Sequence, residues 1–199
     1  QALALAAAQA TLHFQYAGIF MNQRAYTKAR EHFERTTMLD PNFSDGWAQL
    51  ALVCETVGDR PAADRALAQG LKNCPGSPGL HLQNAQRLIR DQRPEEAIPE
   101  FRESIRLRPN EAAAYLDLAT TLIKLRRNDE AIVAVDQALV AEPDHPVALN
   151  IRSFHAIVCN DELAARQWLR RCQNQPRVER GDLDRLLEAY RQQFGHAYQ

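Results

Sequence analysis

Residues 44–77 read SDGWAQLALVCETVGDRPAADRALAQGLKNCPGS. Pro75, near the end of that stretch, is one of four prolines (Pro41, Pro75, Pro109 and Pro143) that stand 34 residues apart. A fixed period of this length is the mark of a stacked repeat. Placing the proline at position 32 divides the chain into units 10–43, 44–77, 78–111, 112–145 and, less regularly, 146–177.

Other columns fall into line with that register. Position 20 is Ala29, Ala63, Ala97, Ala131 and Ala165, and position 8 is Ala17, Ala51, Ala85, Ala119 and Ser153. Columns this small let two helices, A and B, approach to the close end of the usual 8 to 10 Å range. Position 24 is Phe33, Leu67, Phe101, Val135 and Leu169. It lies four residues after the small column and so shares its helix face. Short polar turns such as Gly58-Asp59-Arg60-Pro61 and Asp91-Gln92-Arg93-Pro94 separate the two helices. Pro61 and Pro94 suit the first turn of helix B, whose N–H groups have no intrahelical partner, whereas Pro99 falls inside that helix and predicts a local kink. In unit 146–177 the fit is poorer, because Arg152 replaces an apolar residue at position 7 and Pro176 arrives one residue early. After it, Leu183, Leu186, Leu187, Tyr190 and Phe194 recur at helical spacings and predict a capping helix over about 182–194.

Trp47, Leu50, Ala51, Cys54, Ala63, Leu67 and Pro75 together resemble the tetratricopeptide repeat (TPR) family, and the likeness extends over residues 10 to about 177. The resemblance implies an all-α fold: a single domain over residues 1–199, built as a right-handed α-solenoid of five helix-turn-helix units with a C-terminal cap. It also implies a protein-protein interaction scaffold that binds a partner peptide or protein segment in a concave groove lined by helix A positions 2, 5, 9, 12 and 13. Carried onto this sequence, that groove takes in Leu52, Glu55, Leu82, Gln86, Ile89, Arg90, Leu116, Thr120, Ile123, Lys124, Asn150 and Phe154, with Asp45, Ala48, Thr56 and Ile157 alongside. Some family members clamp acidic chaperone tails with Lys, Asn and Arg at set positions. Here those positions hold Phe14, Gly18, Gln49, Gly79 and Gln83 or, one unit on, Ala48, Leu52, Gln83, Ala113 and Asp117, which disfavours that ligand.

Composition agrees with a helical chain and narrows its partners. Hydrophobic residues make up 45% of the 199 and there are only 8 Gly, as expected of a sequence rich in helix formers. Lys plus Arg number 24 and Asp plus Glu 25, a formal charge of -1 that gives no global field for nucleic acid. No apolar run reaches the roughly 20 residues of a membrane span. Cys54, Cys74, Cys159 and Cys172 are scattered without metal-ligand spacing, a usage that fits a reducing compartment and equally an envelope protein with free thiols. His13 and His81 share position 4, where packing accounts for them without a metal. Phosphate-loop and hydrolase motifs are missing, so neither catalysis nor a cofactor is expected. Arg166, Arg170, Arg171, Arg177 and Arg180 form a local basic cluster opposed within 165–180 only by Glu179. The sequence opens on Gln1, as expected of a chain that has lost an N-terminal stretch. Two alternative roles follow: self-association as a structural element through apolar ends such as Ala2 to Ala10, or service as the repeat portion of a larger protein with an enzymatic domain elsewhere.

Overall fold

The computed structural model describes residues 2–195 and 198, the first three of them by backbone alone. Among the described residues there are eleven helices and no strand. Contacts group the chain into two compact units, one ending at Leu107 and the other beginning at Arg108.

The first unit holds three antiparallel helix pairs: α1 (Ala2–Asn22) with α2 (Tyr26–Leu39), α3 (Ser44–Thr56) with α4 (Arg60–Asn73), and α5 (Pro78–Arg90) with α6 (Pro94–Leu107). The second holds α7 (Ala112–Lys124) with α8 (Asn128–Ala141) and α9 (Pro146–Val158) with α10 (Glu162–Asn174), and then α11 (Arg180–Phe194), which packs on α9 and α10. Each pair is closed by the small columns. Ala29, Ala97, Ala131 and Ala165 are fully buried and Ala63 nearly so, as are the position 8 residues Ala17, Ala51, Ala85, Ala119 and Ser153. The large column of Phe33, Leu67, Phe101, Val135 and Leu169 fills the space beside them. A third small column, at position 27, is also buried: Thr36, Gly70, Ser104, Ala138 and Cys172. Its hydroxyls tie helix B to the start of its own helix A, with Thr36 donating to the Ala10 carbonyl at 3.4 Å and Ser104 to that of Pro78 at 2.9 Å.

The turns explain the period. At position 15 of every pair, Arg24, Gly58, Gln92, Arg126 and Asn160 adopt positive φ between 58° and 83°. The next N–H then reaches back to the carbonyl of Phe20, Cys54, Leu88, Leu122 or Ala156 at 2.9 to 3.0 Å. This left-handed closure satisfies the last carbonyls of helix A and reverses the chain. At the other end, Pro41, Pro75 and Pro143 each occupy the second position of a turn closed by an i to i+3 bond of 3.1 Å, as in Phe43 N–H to Asp40. Proline's fixed φ suits that position and stops helix B. Asp59 and Asp161 cap the B helices that follow them, accepting from the N–H of Ala62 at 3.1 Å and of Ala164 at 3.0 Å.

Local expectations meet their reasons in the packing. Pro61 and Pro94 do sit in the first turns of α4 and α6, and α6 continues as a helix through Pro99 to Leu107. Arg152 is accommodated at an apolar position because its Nε donates to Asp136 at 2.7 Å while its guanidinium lies 5.5 Å from the Trp168 ring centre. The capping helix begins two residues before its expected start, and its own Tyr190 is fully buried. The Tyr190 hydroxyl donates to Glu162 at 2.7 Å and accepts from Arg166 Nε at 2.8 Å.

Candidate functional site

An exposed apolar side chain is meaningful where it recurs at matching positions of neighbouring repeats, since scattered ones are ordinary. The A-helix face of each unit therefore has to be built residue by residue. In the first unit, Leu52 on α3 is exposed, Leu82, Gln86 and Ile89 on α5 are half-buried, and Glu55 and Arg90 form an ion pair across the two helices. Asp45 and Thr56 are exposed and Ala48 is half-buried. Between α3 and α5 lies a cleft of about 60 Å³ lined by Ala51, Leu52, Glu55, Leu67, Gln83, Gln86 and Arg90. The side-chain Oε1 of Gln83 is buried there without a hydrogen-bond partner. A buried acceptor left unpaired costs free energy, so this is the polar atom of the face most in need of a donor. Gln83 occupies position 6, outside the groove columns at positions 2, 5, 9, 12 and 13, and enters the sequence reading only as a mismatch to the chaperone clamp.

In the second unit, Thr120, Ile123 and Lys124 on α7 are exposed, as is Phe154 on α9, while Asn150 is half-buried. Leu116 and Ile157, both expected on this face, are instead buried. Leu116 stands four residues after Ala112 and three before Ala119, both buried, so it joins the packed side of α7. Ile157 does the same four residues after the buried Ser153. Val158, at position 13 of α9 and therefore in the column of Arg90 and Lys124, was overlooked although it is 61% exposed. Ile123, Phe154 and Val158 are thus three large apolar groups left in solvent on consecutive A helices. Lys124 has no ion-pair partner among the described residues, in contrast to Arg90.

The remaining sequence candidates are spent on the fold. Arg166 pairs with Glu162, Arg171 with Asp144 and the Pro143 carbonyl, and Arg177 with Glu142, so three of the five arginines of the basic cluster are held by acidic groups outside 165–180. Arg171 also stacks over Trp168 at 4.9 Å. His81 Nδ1 sits 2.6 Å from Glu100 and its Nε2 3.0 Å from the Pro75 carbonyl. His13 and His32 face each other, Nδ1 to Nδ1, at 2.9 Å, and burial together with the neighbouring His32 and Arg35 pushes the His13 pKa down. The four cysteines are free thiols. Burial raises the pKa of Cys54, Cys74 and Cys172 and so keeps them protonated. Among the described residues no three His, Cys, Asp or Glu side chains gather as a metal site, and no helix is long and apolar enough to cross a membrane.

The sequence model of the tetratricopeptide repeat family matches residues 88–153. Those residues carry tetratricopeptide repeats. Solved structures extend the likeness along the chain. The type IV pilus biogenesis factor PilW is 20% identical with a TM-score of 0.72, and the match covers 94% of this chain and 86% of that one. Pseudomonas aeruginosa PilF is 16% identical with a TM-score of 0.78, covering 94% and 85%. YrrB, described as a TPR protein with an unusual peptide-binding site, is 14% identical with a TM-score of 0.67, covering 87% and 89%. At these identities the likeness concerns the fold. No curated protein matches this chain in sequence.

Proposed function

We propose that this TPR protein is an interaction scaffold, and that the A-helix face of its second unit takes a partner segment carrying apolar side chains beside a carboxylate. The observation that carries the reading is the exposure of Ile123, Phe154 and Val158 at repeat positions that the family turns toward ligands. Leaving such groups in water forgoes the gain of roughly 25 cal/mol per Å² that a partner would recover. Lys124, unpaired beside Ile123, supplies a donor for the carboxylate. The first unit supports the same class of ligand more weakly. Its cation Arg90 is already held by Glu55, although the unpaired acceptor of Gln83 would receive an amide N–H of an extended segment.

Selection from a displayed peptide library followed by titration against labelled protein tests this reading. Selected peptides should share apolar residues next to Asp, Glu or a free C-terminus. Phe154→Glu and Ile123→Glu should each weaken their binding tenfold or more, about 1.4 kcal/mol, with the helical circular dichroism unchanged. Lys124→Glu should weaken acidic peptides selectively. Peptides that bind all three variants as well as the parent refute the assignment.

A further inference from the structure

The outward side of α1 carries Leu5, Leu12, Tyr16 and Ile19, all between 45% and 62% exposed. Leu5, Leu12 and Ile19 stand seven residues apart and Tyr16 follows Leu12 by four, so they form one stripe along the helix. Leu12, Tyr16 and Ile19 occupy positions 3, 7 and 10 of their repeat. In repeats 44–77 and 112–145 the residues at those positions are Gly46, Leu50, Val53, Ala114, Leu118 and Thr121, and all six are buried. Inside the first unit, position 3 seats against the preceding B helix. A Cβ on Gly46 would lie 2.9 Å from Thr36 of α2, and Leu80 of α5 lies 3.2 Å from where a Cβ on Gly70 of α4 would stand. Among the described residues no helix packs on this stripe, and side chains patterned to receive one are exposed. α1 is also longer than the other A helices, 21 residues against 13 in α3, and it contains no Asp, Glu, Lys or Arg, unlike any other helix.

We propose that this stripe pairs with the same stripe of a second copy of the chain. The two α1 helices run antiparallel about a twofold axis near Leu12, so that Leu5 of one copy faces Ile19 of the other. Three features select a second copy as the occupant. The stripe is symmetric about Leu12, with Leu5 and Ile19 each seven residues away, as an isologous contact requires. An uncharged helix can face itself without like-charge repulsion. Stacking of the stripe on α11 of another copy is opposed by the Asp184, Arg185, Glu188 and Arg191 side chains that α11 presents to solvent. A cleft of about 610 Å³ beside the stripe, lined by Gln9, Leu12, His13, Arg35, Met38 and Leu39, adds the exposed thioether of Met38 to the apolar surface. Taking on the order of 200 Å² for each large side chain, the exposed fractions of the four stripe residues and Met38 amount to about 550 Å² per copy. The total of about 1,100 Å² sits at the low edge of specific interfaces, which fits a reversible dimer with micromolar affinity.

Sedimentation velocity of the 199-residue chain from about 2 to 200 µM should show a concentration-dependent monomer–dimer equilibrium. Leu12→Glu and Leu12→Lys should each weaken dimerisation at least about tenfold, and their equimolar mixture should restore it, because only a contact near the twofold axis sets the two charges against each other. Leu12 is half exposed, so helicity and melting temperature should stay with the parent. A protein that remains monomeric throughout overturns the proposal, and the stripe would then be covered by a helix of some other protein. A dimer indifferent to Leu12→Glu overturns it as well. Loss in both single variants without rescue in the mixture refutes the twofold arrangement.

Discussion

Gly70→Ala puts the register of the repeats to a quantitative test. Gly70 lies in the last turn of α4, at the position where α4 meets both its own A helix and the next. A Cβ there would stand 2.7 Å from Trp47 Cβ, 3.1 Å from its Cγ and 3.2 Å from Leu80 Cδ1. The Trp47 Cβ is fixed to the backbone of α3 and its indole is held by a 2.8 Å bond from Nε1 to the Pro41 carbonyl, so relief requires the helices to part. Overpacking of this kind costs about 1 to 3 kcal/mol, whereas Ala in place of Gly inside a helix returns about 0.5 to 1 kcal/mol. The midpoints of the two ranges leave a net loss of about 1 kcal/mol, and for a unit of roughly 100 residues each kcal/mol lowers Tm by about 4 to 8 °C. Gly18→Ala is the control with the opposite sign, because nothing lies within 4 Å of a Cβ at Gly18 inside α1. It should gain about 0.5 to 1 kcal/mol. Thermal unfolding followed at 222 nm gives the sign, and amide exchange gives the place, with protection falling in α3, α4 and α5. A Gly70→Ala protein as stable as the parent, or a Gly18→Ala protein less stable, would falsify the packing argument.

Other expectations follow from single contacts. Gly58→Ala should cost about 1 kcal/mol in denaturant unfolding, since an L side chain at φ 83° pays the left-handed penalty. Tyr190→Phe should lose about 1 kcal/mol with the hydroxyl's bonds to Glu162 and Arg166, read as faster amide exchange in α11. The depressed His13 pKa means that the unfolded chain binds the proton more readily than the folded one. Stability of the α1–α2 pair should therefore be full above the ordinary value near 6.5 and decline as pH falls through it. Amide exchange at pH 7.5 and 5.5 checks this, and His13→Gln should flatten the difference.

The architecture was legible because its main determinants are local and repeated. An Ala column every 34 residues and a proline that stops helix B can be read without knowing any neighbour. What the sequence hid depends on neighbours or on backbone. The position 27 column of Thr36, Gly70, Ser104, Ala138 and Cys172 shares only small size, so no hydropathy pattern exposes it. The left-handed position 15 is glycine once in five, which conceals a conformation that all five share. Leu116 sat in a ligand-facing column, yet its burial is decided by the side of α7 that Ala112 and Ala119 occupy. The arginines near the C-terminus read as a free basic cluster because Asp144 and Glu142, which hold Arg171 and Arg177, precede them by 27 and 35 residues. Val158 shares the column of Lys124, so its place on this face is legible from spacing even though it is the last residue of α9.

The position 15 turns separate side-chain identity from chain path. Arg24, Gly58, Gln92, Arg126 and Asn160 are all exposed, and they trace one backbone shape with cationic, neutral and absent side chains. Each hairpin thus offers one site where chemistry can be rewritten at a fixed and modest conformational penalty, without disturbing the columns that hold the helices together. Variation among related sequences should concentrate there in charge and length while leaving the 34-residue spacing untouched, and a reporter group attached at any of the five would sense solvent rather than core.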